Sequence, residues 1–118
     1  MSLYLTNNPS QPGSSNVDAP GASQWQFIEK SYTTNAVQEW IYAPASGNVS
    51  VTLSFTAATG SIECTDSPPS VIETGTPVTV TWPAGVVGAT SSVELVGFTA
   101  FRLNKATGTS VKLSCKAM

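Results

Sequence analysis

The chain has 118 residues and a mass of 12.2 kDa, with five basic residues, seven acidic residues and no histidine. The net charge of −2 argues against a nucleic-acid surface, which needs clustered Lys and Arg. The lack of histidine removes the common catalytic triads and imidazole metal sites. No run approaches the roughly 20 apolar residues of a membrane span, so no membrane partner is expected.

Residues 1–23 are rich in Pro, Gly, Ser and Asn and hold few side chains that could build a core. Ordering each residue costs roughly 1–2 kcal/mol, which this composition does not offset. We therefore predict an extended N-terminal arm at residues 1–23, held by a neighbouring subunit, and one folded domain at residues 24–118. The arm also lacks a basic region followed by an apolar run, so we expect no signal peptide and synthesis in a reducing cytoplasm.

Three segments alternate apolar and polar side chains with the period of a half-buried strand: residues 48–56, 77–82 and 110–116. Their apolar positions, which we expect to face the core, are Val49, Val51, Leu53, Phe55, Val78, Val80, Trp82, Val111, Leu113 and Cys115. Alternation of this kind is typical of an antiparallel sheet with one solvated face.

Weaker strand patterns occupy residues 24–30, 61–65, 70–73 and 92–104, with a bulge or bend predicted at Gly97. Residues 37–42 fit either a strand or one helical turn capped by Thr34, and we favour the strand. Turn residues fall at 45–47, 59–60, 73–76, 83–85 and 107–108. This spacing predicts an all-β fold, an antiparallel β-sandwich or jelly roll of about seven to eight strands.

Little in the sequence indicates catalysis or a cofactor. Glu63 and Asp66 come nearest to a carboxylate pair, but no base accompanies them and exposed acids are ordinary at a strand end. Phosphate-loop and calcium-loop motifs are absent. We therefore expect no catalytic residue, no metal and no cofactor. For Cys64 and Cys115, both at inward strand positions, we favour reduced buried thiols over a disulfide.

Trp25 and Trp40 leave two interpretations open. Large aromatic side chains are common in cores and subunit interfaces, and they also form platforms on which sugars stack. We favour a core or interface position for both.

The end of the chain carries Gly97, Ala100, Arg102 and Asn104 on one strand, then a turn at 105–109 and a final alternating strand. This pattern resembles the closing hairpin of small β-rich structural proteins of tailed bacteriophages, where a G-x-x-A-x-R-x-N strand precedes such a turn. The resemblance is confined to this hairpin. It implies a virion component and assigns no catalytic residues.

Together with the arm, the resemblance leads us to expect a capsid decoration (cement) protein, assembled in the host cytoplasm and located in the virion. It would bind the major capsid protein or other virion subunits and form a homo-oligomer. The predicted partner-binding residues are Leu3, Tyr4, Leu5 and Trp25, with the arm adding a strand to a neighbour's sheet edge. The alternative is a carbohydrate- or receptor-binding module of a tail fibre or adhesin, which predicts an exposed Trp25 or Trp40.

Overall fold

The computed structural model describes residues 3–5, 24–25, 27–44, 47–81, 88 and 91–117. These residues form one sheet of eight strands and one short helix, so the all-β prediction is confirmed. The elements are β1 (Leu3–Leu5), β2 (Gln24–Trp25), β3 (Phe27–Tyr32), β4 (Ile41–Tyr42), β5 (Asn48–Thr65), α1 (Pro69–Glu73), β6 (Thr79–Thr81), β7 (Ser91–Val96) and β8 (Ala100–Ala117). Trp82 and most of the predicted arm lie outside the described residues.

Two long strands, β5 and β8, pair along their length as an antiparallel ribbon, from Val49 opposite Ala117 to Thr65 opposite Ala100. At one end of this ribbon, β3 pairs with β8 and β7 pairs with β5. At the other end, β4 pairs with β8 and β6 pairs with β5. The ribbon therefore connects all the shorter strands into one sheet.

The strand β1 lies between β2 and β4 and runs parallel to both. The sheet is therefore mixed, and the prediction of an antiparallel sheet is wrong on this point. Apolar alternation shows which face of a strand is buried, but it carries no information on the direction of the neighbouring strand. A parallel neighbour needs a long connection rather than a tight turn, and residues 6–23 supply one between β1 and β2.

The middle of the ribbon is irregular. Ala57 and Gly108, on the two facing strands, have φ angles of 46° and 96°, and the register shifts between Thr59 and Gly60. A Cβ at Gly108 would lie 1.9 Å from the carbonyl oxygen of Ala57. The turns predicted at 59–60 and 107–108 are therefore wrong. These glycines let two backbones approach closely while both strands continue.

One hydrophobic core draws residues from both ends of the ribbon. The inward positions predicted for residues 48–56 and 110–116 are confirmed, with Phe55 partly buried and the others buried: Val49, Val51, Leu53, Val111, Leu113 and Cys115. From the other end, Ile62, Cys64, Phe101 and Leu103 join the same cluster. Both halves of the sheet therefore contribute to this main core.

Three short segments can be compared with their predictions. Residues 69–73 form a helix rather than a strand, with a proline in the first turn, where its missing N–H costs no hydrogen bond. Within 37–42, only Ile41–Tyr42 is a strand, and Val37 makes one isolated bridge to Asn104. The strand predicted over 92–104 is divided by a bend at Gly97, whose φ is 81°, as predicted.

The strand β6 ends the order of strands in the sheet. Val80 pairs with Cys64, so both side chains face the same side of the sheet. Val78 and Val80 are nevertheless 78% and 52% exposed. The expectation that they are core residues is wrong, because the core cluster of the described residues includes Cys64 but no residue of β6.

Candidate association surface

The N-terminal strand β1 fills a slot between β2 and β4 of the chain's own sheet. Its Leu-Tyr-Leu alternation buries Leu3 and Leu5 in the main core and leaves Tyr4 exposed. The backbone N–H of Leu3 donates to the carbonyl oxygen of Trp40 at 2.9 Å, and Leu5 pairs with Trp25 of β2. The structure thus brings the four predicted partner-binding residues together in two adjacent strands. Their role in binding a partner stays a prediction.

A second, smaller core lies under α1 and contains Trp40, Tyr42, Ile72 and Ala100. The ring of Tyr4 stacks on that of Tyr42, with centroids 4.8 Å apart and planes 8° from parallel. The Tyr42 hydroxyl donates to the Glu73 carboxylate at 2.6 Å, which ties β4 to the helix. The strand β1 therefore contacts both cores, through its leucines in one and through Tyr4 in the other.

Trp40 is buried beneath the guanidinium of Arg102, whose central carbon lies 4.2 Å from the ring centroid. Nε and Nη2 of Arg102 both lie 2.8 Å from one carboxylate oxygen of Glu63. The Asn104 amide donates to the other oxygen at 3.1 Å. The interpretation of Trp40 as a core residue is confirmed. Glu63 serves as the acceptor that positions Arg102 over this ring.

Lys105 is buried, with 1% of its surface exposed. Its Nζ donates to the side-chain oxygen of Asn35, to the carbonyl of Gly108 at 2.6 Å and to that of Thr107 at 3.5 Å. These partners are neutral oxygens, so the buried ammonium is held by hydrogen bonds. Sequence analysis missed this residue, although the inward alternation of Phe101 and Leu103 extends to it.

Cys64 and Cys115 are buried free thiols, which confirms the prediction of reduced cysteines. Burial, together with the nearby charges of Asp66 and Glu63, raises the pKa of Cys64 to about 12. Burial also raises the pKa of Cys115 to about 12, against the opposing effect of a hydrogen bond from the Ile28 backbone. Because the thiolate is the reactive form of cysteine, neither thiol is activated as a nucleophile near neutral pH.

Within the part of the chain that the structure describes, no group of three or more His, Cys, Asp or Glu residues could hold a metal ion. Among the same residues, no helix is long and apolar enough to cross a membrane. Asp66, the second acid of the predicted carboxylate pair, is exposed beside Ser67 and lines a shallow groove.

That groove and a second one lie on either side of Phe98. The first has a volume of about 300 Å³ and is lined by Val78, Val80, Cys64 and Phe98, among others. The second has a volume of about 400 Å³ and contains Pro44 and Phe98 in its wall. Both are open to solvent and largely apolar, so they suit contact with a protein surface better than enclosure of a small substrate.

Several large apolar side chains are exposed in the described residues: Tyr4, Phe27, Val37, Val78, Val80 and Val96. Two of them lie together on residues 78–81, which we term the β6 edge. No charged residue occurs anywhere between Thr74 and Val93. An exposed apolar strand in an uncharged stretch is a feature of association surfaces.

Comparison with protein-family models, with curated proteins and with solved structures shows no significant match to this chain. Its function is therefore inferred from its own residues and geometry.

Proposed function

We propose that the chain is a non-enzymatic structural subunit of a bacteriophage virion. It acts as a capsid decoration protein that binds the major capsid protein and neighbouring copies through its N-terminal strand. The observation that carries this proposal is the position of β1. Leu3 and Leu5 complete the hydrophobic core from a strand of three residues, which residues 6–23 separate from β2.

The length of this connection allows β1 to reach another copy. A fully extended chain spans at most about 3.6 Å per residue, so residues 6–23 can reach roughly 60 Å. The longest dimension of the molecule is 37 Å. The strand β1 of one copy can therefore occupy the slot between β2 and β4 of a neighbour. Exchange of an identical element between subunits is a low-cost route to an oligomer, because the same contacts are made.

The phage setting is supported by the sequence resemblance of the G-x-x-A-x-R-x-N segment, Gly97 to Asn104. The hairpin predicted to follow it does not form, because Ala100–Ala117 is one continuous strand. In the structure, Arg102 and Asn104 of this strand both donate to Glu63, so the motif has a structural role here. The finer assignment of the fold as a sandwich or jelly roll belongs to the same proposal. It is supported by the main core, to which both ends of the β5–β8 ribbon contribute.

Cross-linking of two single variants tests the exchange. Tyr4 and Tyr42 are paired in the register of β1 and β4. Tyr4→Cys and Tyr42→Cys chains are mixed, unfolded and refolded together, and then treated with a short thiol cross-linker. We expect a covalent heterodimer containing one chain of each kind. The Tyr4→Cys/Tyr42→Cys double variant is treated in the same way. If it is cross-linked only within single chains, and the mixture gives no heterodimer, β1 stays in its own chain.

Co-sedimentation with empty capsids of the source phage tests the setting. The full chain is expected to sediment with the capsids, and a Leu3→Asp/Leu5→Asp variant is expected to remain in the supernatant. The matched control is Val37→Asp, which changes an exposed apolar residue away from β1. Failure of the unchanged chain to sediment would overturn the assignment to the capsid.

A carbohydrate- or receptor-binding module is a second candidate, favoured by one observation. Tyr4 is an exposed aromatic residue stacked on Tyr42, whose hydroxyl binds Glu73. Aromatic faces next to carboxylates suit sugar rings. This candidate predicts glycan binding that Tyr4→Ala abolishes, measured on a glycan array. Loss of capsid binding without any glycan binding would favour the first proposal.

A further inference from the structure

We infer that the β6 edge pairs with the β6 edge of a second copy of this chain, joining two sheets in an antiparallel dimer. The strand β6 ends the sheet, and its only strand partner among the described residues is β5. Both backbone groups of Val78 already have partners within the chain. The Thr65 hydroxyl donates to the Val78 carbonyl, and the Val78 N–H donates to the Ser67 hydroxyl. Among the residues that the structure describes, no strand lies on the outer side of β6, so its backbone donors and acceptors there can pair with another strand.

Charge distinguishes β6 from the longer edge strands. Natural proteins protect sheet edges with charged side chains. The strand β3 carries Glu29 and Lys30, which form ion pairs with Lys112 and Glu39, and β7 carries Glu94. The strand β6 lies in a stretch that has no charge from Thr74 to Val93. Of these three strands, β6 alone lacks a charged side chain that would oppose pairing.

The sequence of β6 is also suited to pairing with itself. In an antiparallel pair centred on Val80, the valine meets its counterpart and Thr79 meets Thr81 of the other copy. A two-fold interface brings identical residues together, so a strand with a charged residue at its centre would place like charges opposite each other. All three residues of β6 are β-branched and uncharged, as strand pairing favours. The second copy would cover Val78 and Val80, which are 78% and 52% exposed in one chain.

Analytical ultracentrifugation of the full chain over a range of concentrations tests the dimer. We expect a monomer–dimer equilibrium. Val80→Lys places two lysines opposite each other and is expected to weaken the dimer at least about tenfold in Kd. The matched control is Val96→Lys, which introduces the same charge at a valine of β7 that is 69% exposed. Both side chains are exposed, so circular dichroism should show that both variants fold.

Directed cross-linking then tests the register. A mixture of Thr79→Cys and Thr81→Cys chains is expected to form a disulfide-linked heterodimer. Each variant alone is expected to form a disulfide-linked homodimer less readily. A chain that is monomeric at every concentration would overturn the inference, as would a dimer that Val80→Lys leaves unchanged or that Val96→Lys weakens equally. This interface does not rest on exchange of β1. A heterodimer in the mixture of Tyr4→Cys and Tyr42→Cys chains, with none in the mixture of Thr79→Cys and Thr81→Cys chains, would support the proposed function and reject the β6 dimer. A heterodimer in the second mixture alone would support the β6 dimer and reject exchange of β1.

Discussion

The Nζ of Lys105 donates a hydrogen bond to the carbonyl oxygen of Gly108, 2.6 Å away, at the point where the β5–β8 ribbon is irregular. The two residues flank a part of β8 that leaves the regular pairing with β5. The buried ammonium donates to two backbone carbonyls beside this irregularity, those of Gly108 and Thr107. The hydrogen bonds to Asn35 and Thr107 complete the set around Nζ and offset part of the cost of burying a cation.

Replacement of Lys105 by alanine should destabilise the fold. The change leaves the carbonyl of Gly108 without its donor and opens a cavity at a fully buried side chain. We expect a loss of about 2–4 kcal/mol in the free energy of unfolding, measured with denaturant. The control is Lys112→Ala, at a side chain that is 54% exposed, where a change within about 0.5 kcal/mol is expected. Equal effects in the two variants would contradict a structural role for Lys105.

The two strands of the ribbon approach each other closely at Gly108. A Cβ there would lie 1.9 Å from the Ala57 carbonyl oxygen and 2.4 Å from the Cα of Ala58. Gly108→Ala should therefore cost more than about 3 kcal/mol or prevent folding. Gly97→Ala is the matched control, because Gly97 has a similar positive φ of 81° but nothing within 4 Å of its Cβ position. A loss of about 1–2 kcal/mol from backbone strain alone is expected there, by the same measurement.

The ion pair between Glu63 and Arg102 should contribute more to stability than the shorter one between Glu29 and Lys112. The first has a separation of 2.8 Å and side chains that are 16% and 22% exposed. The second has a separation of 2.6 Å but side chains that are 38% and 54% exposed. Solvent screens exposed pairs, whereas Arg102 also lies against Trp40.

Glu63→Gln is accordingly expected to lower the free energy of unfolding by about 1–2 kcal/mol, and Glu29→Gln by less than about 0.5 kcal/mol. Chemical denaturation in low and high salt measures both. Raising the ionic strength should reduce the effect at Glu29 while leaving most of that at Glu63. A larger loss of unfolding free energy in Glu29→Gln than in Glu63→Gln would mean that the N–O separation of an ion pair matters more than its burial.

The local alternation of side chains predicted the central strands well. Residues 48–56 and 110–116 bury the expected positions, because a period of two is set by the chain itself. The same signal failed at β6. Val80 does face the side of Cys64, but alternation gives the direction of a side chain and not the amount of structure above it.

Other features depend on contacts between distant segments. A glycine beside a threonine is compatible with a turn or with a close approach of two strands, and only the position of Ala57 opposite Gly108 decides between them. Likewise, no local sequence pattern predicts that β1 lies between β2 and β4. The helix at residues 69–73 did have a local signal, since Pro69 is typical of a first helical turn.

The two thiols lead to a prediction about pH. Burial raises the pKa values of Cys64 and Cys115 to about 12, from 9.0 for an accessible thiol. Below pH 9, the thiols are protonated in both the folded and the unfolded chain, and their contribution to the free energy of unfolding is fully present. Between pH 9 and pH 12 the unfolded chain releases protons that the folded chain retains, so the free energy of unfolding falls as the pH rises.

We therefore expect the midpoint of thermal unfolding to decrease more steeply above pH 9 in the unchanged protein than in a Cys64→Ala/Cys115→Ala variant. The variant provides the control, because every residue other than the two cysteines is the same in both proteins. Alkylation gives an independent readout. Iodoacetamide at pH 8 should leave both cysteines unmodified in the folded protein and modify both in denaturant, as followed by mass spectrometry. Rapid alkylation of the folded chain, or equal slopes for the two proteins, would mean that the thiols are not held protonated by burial.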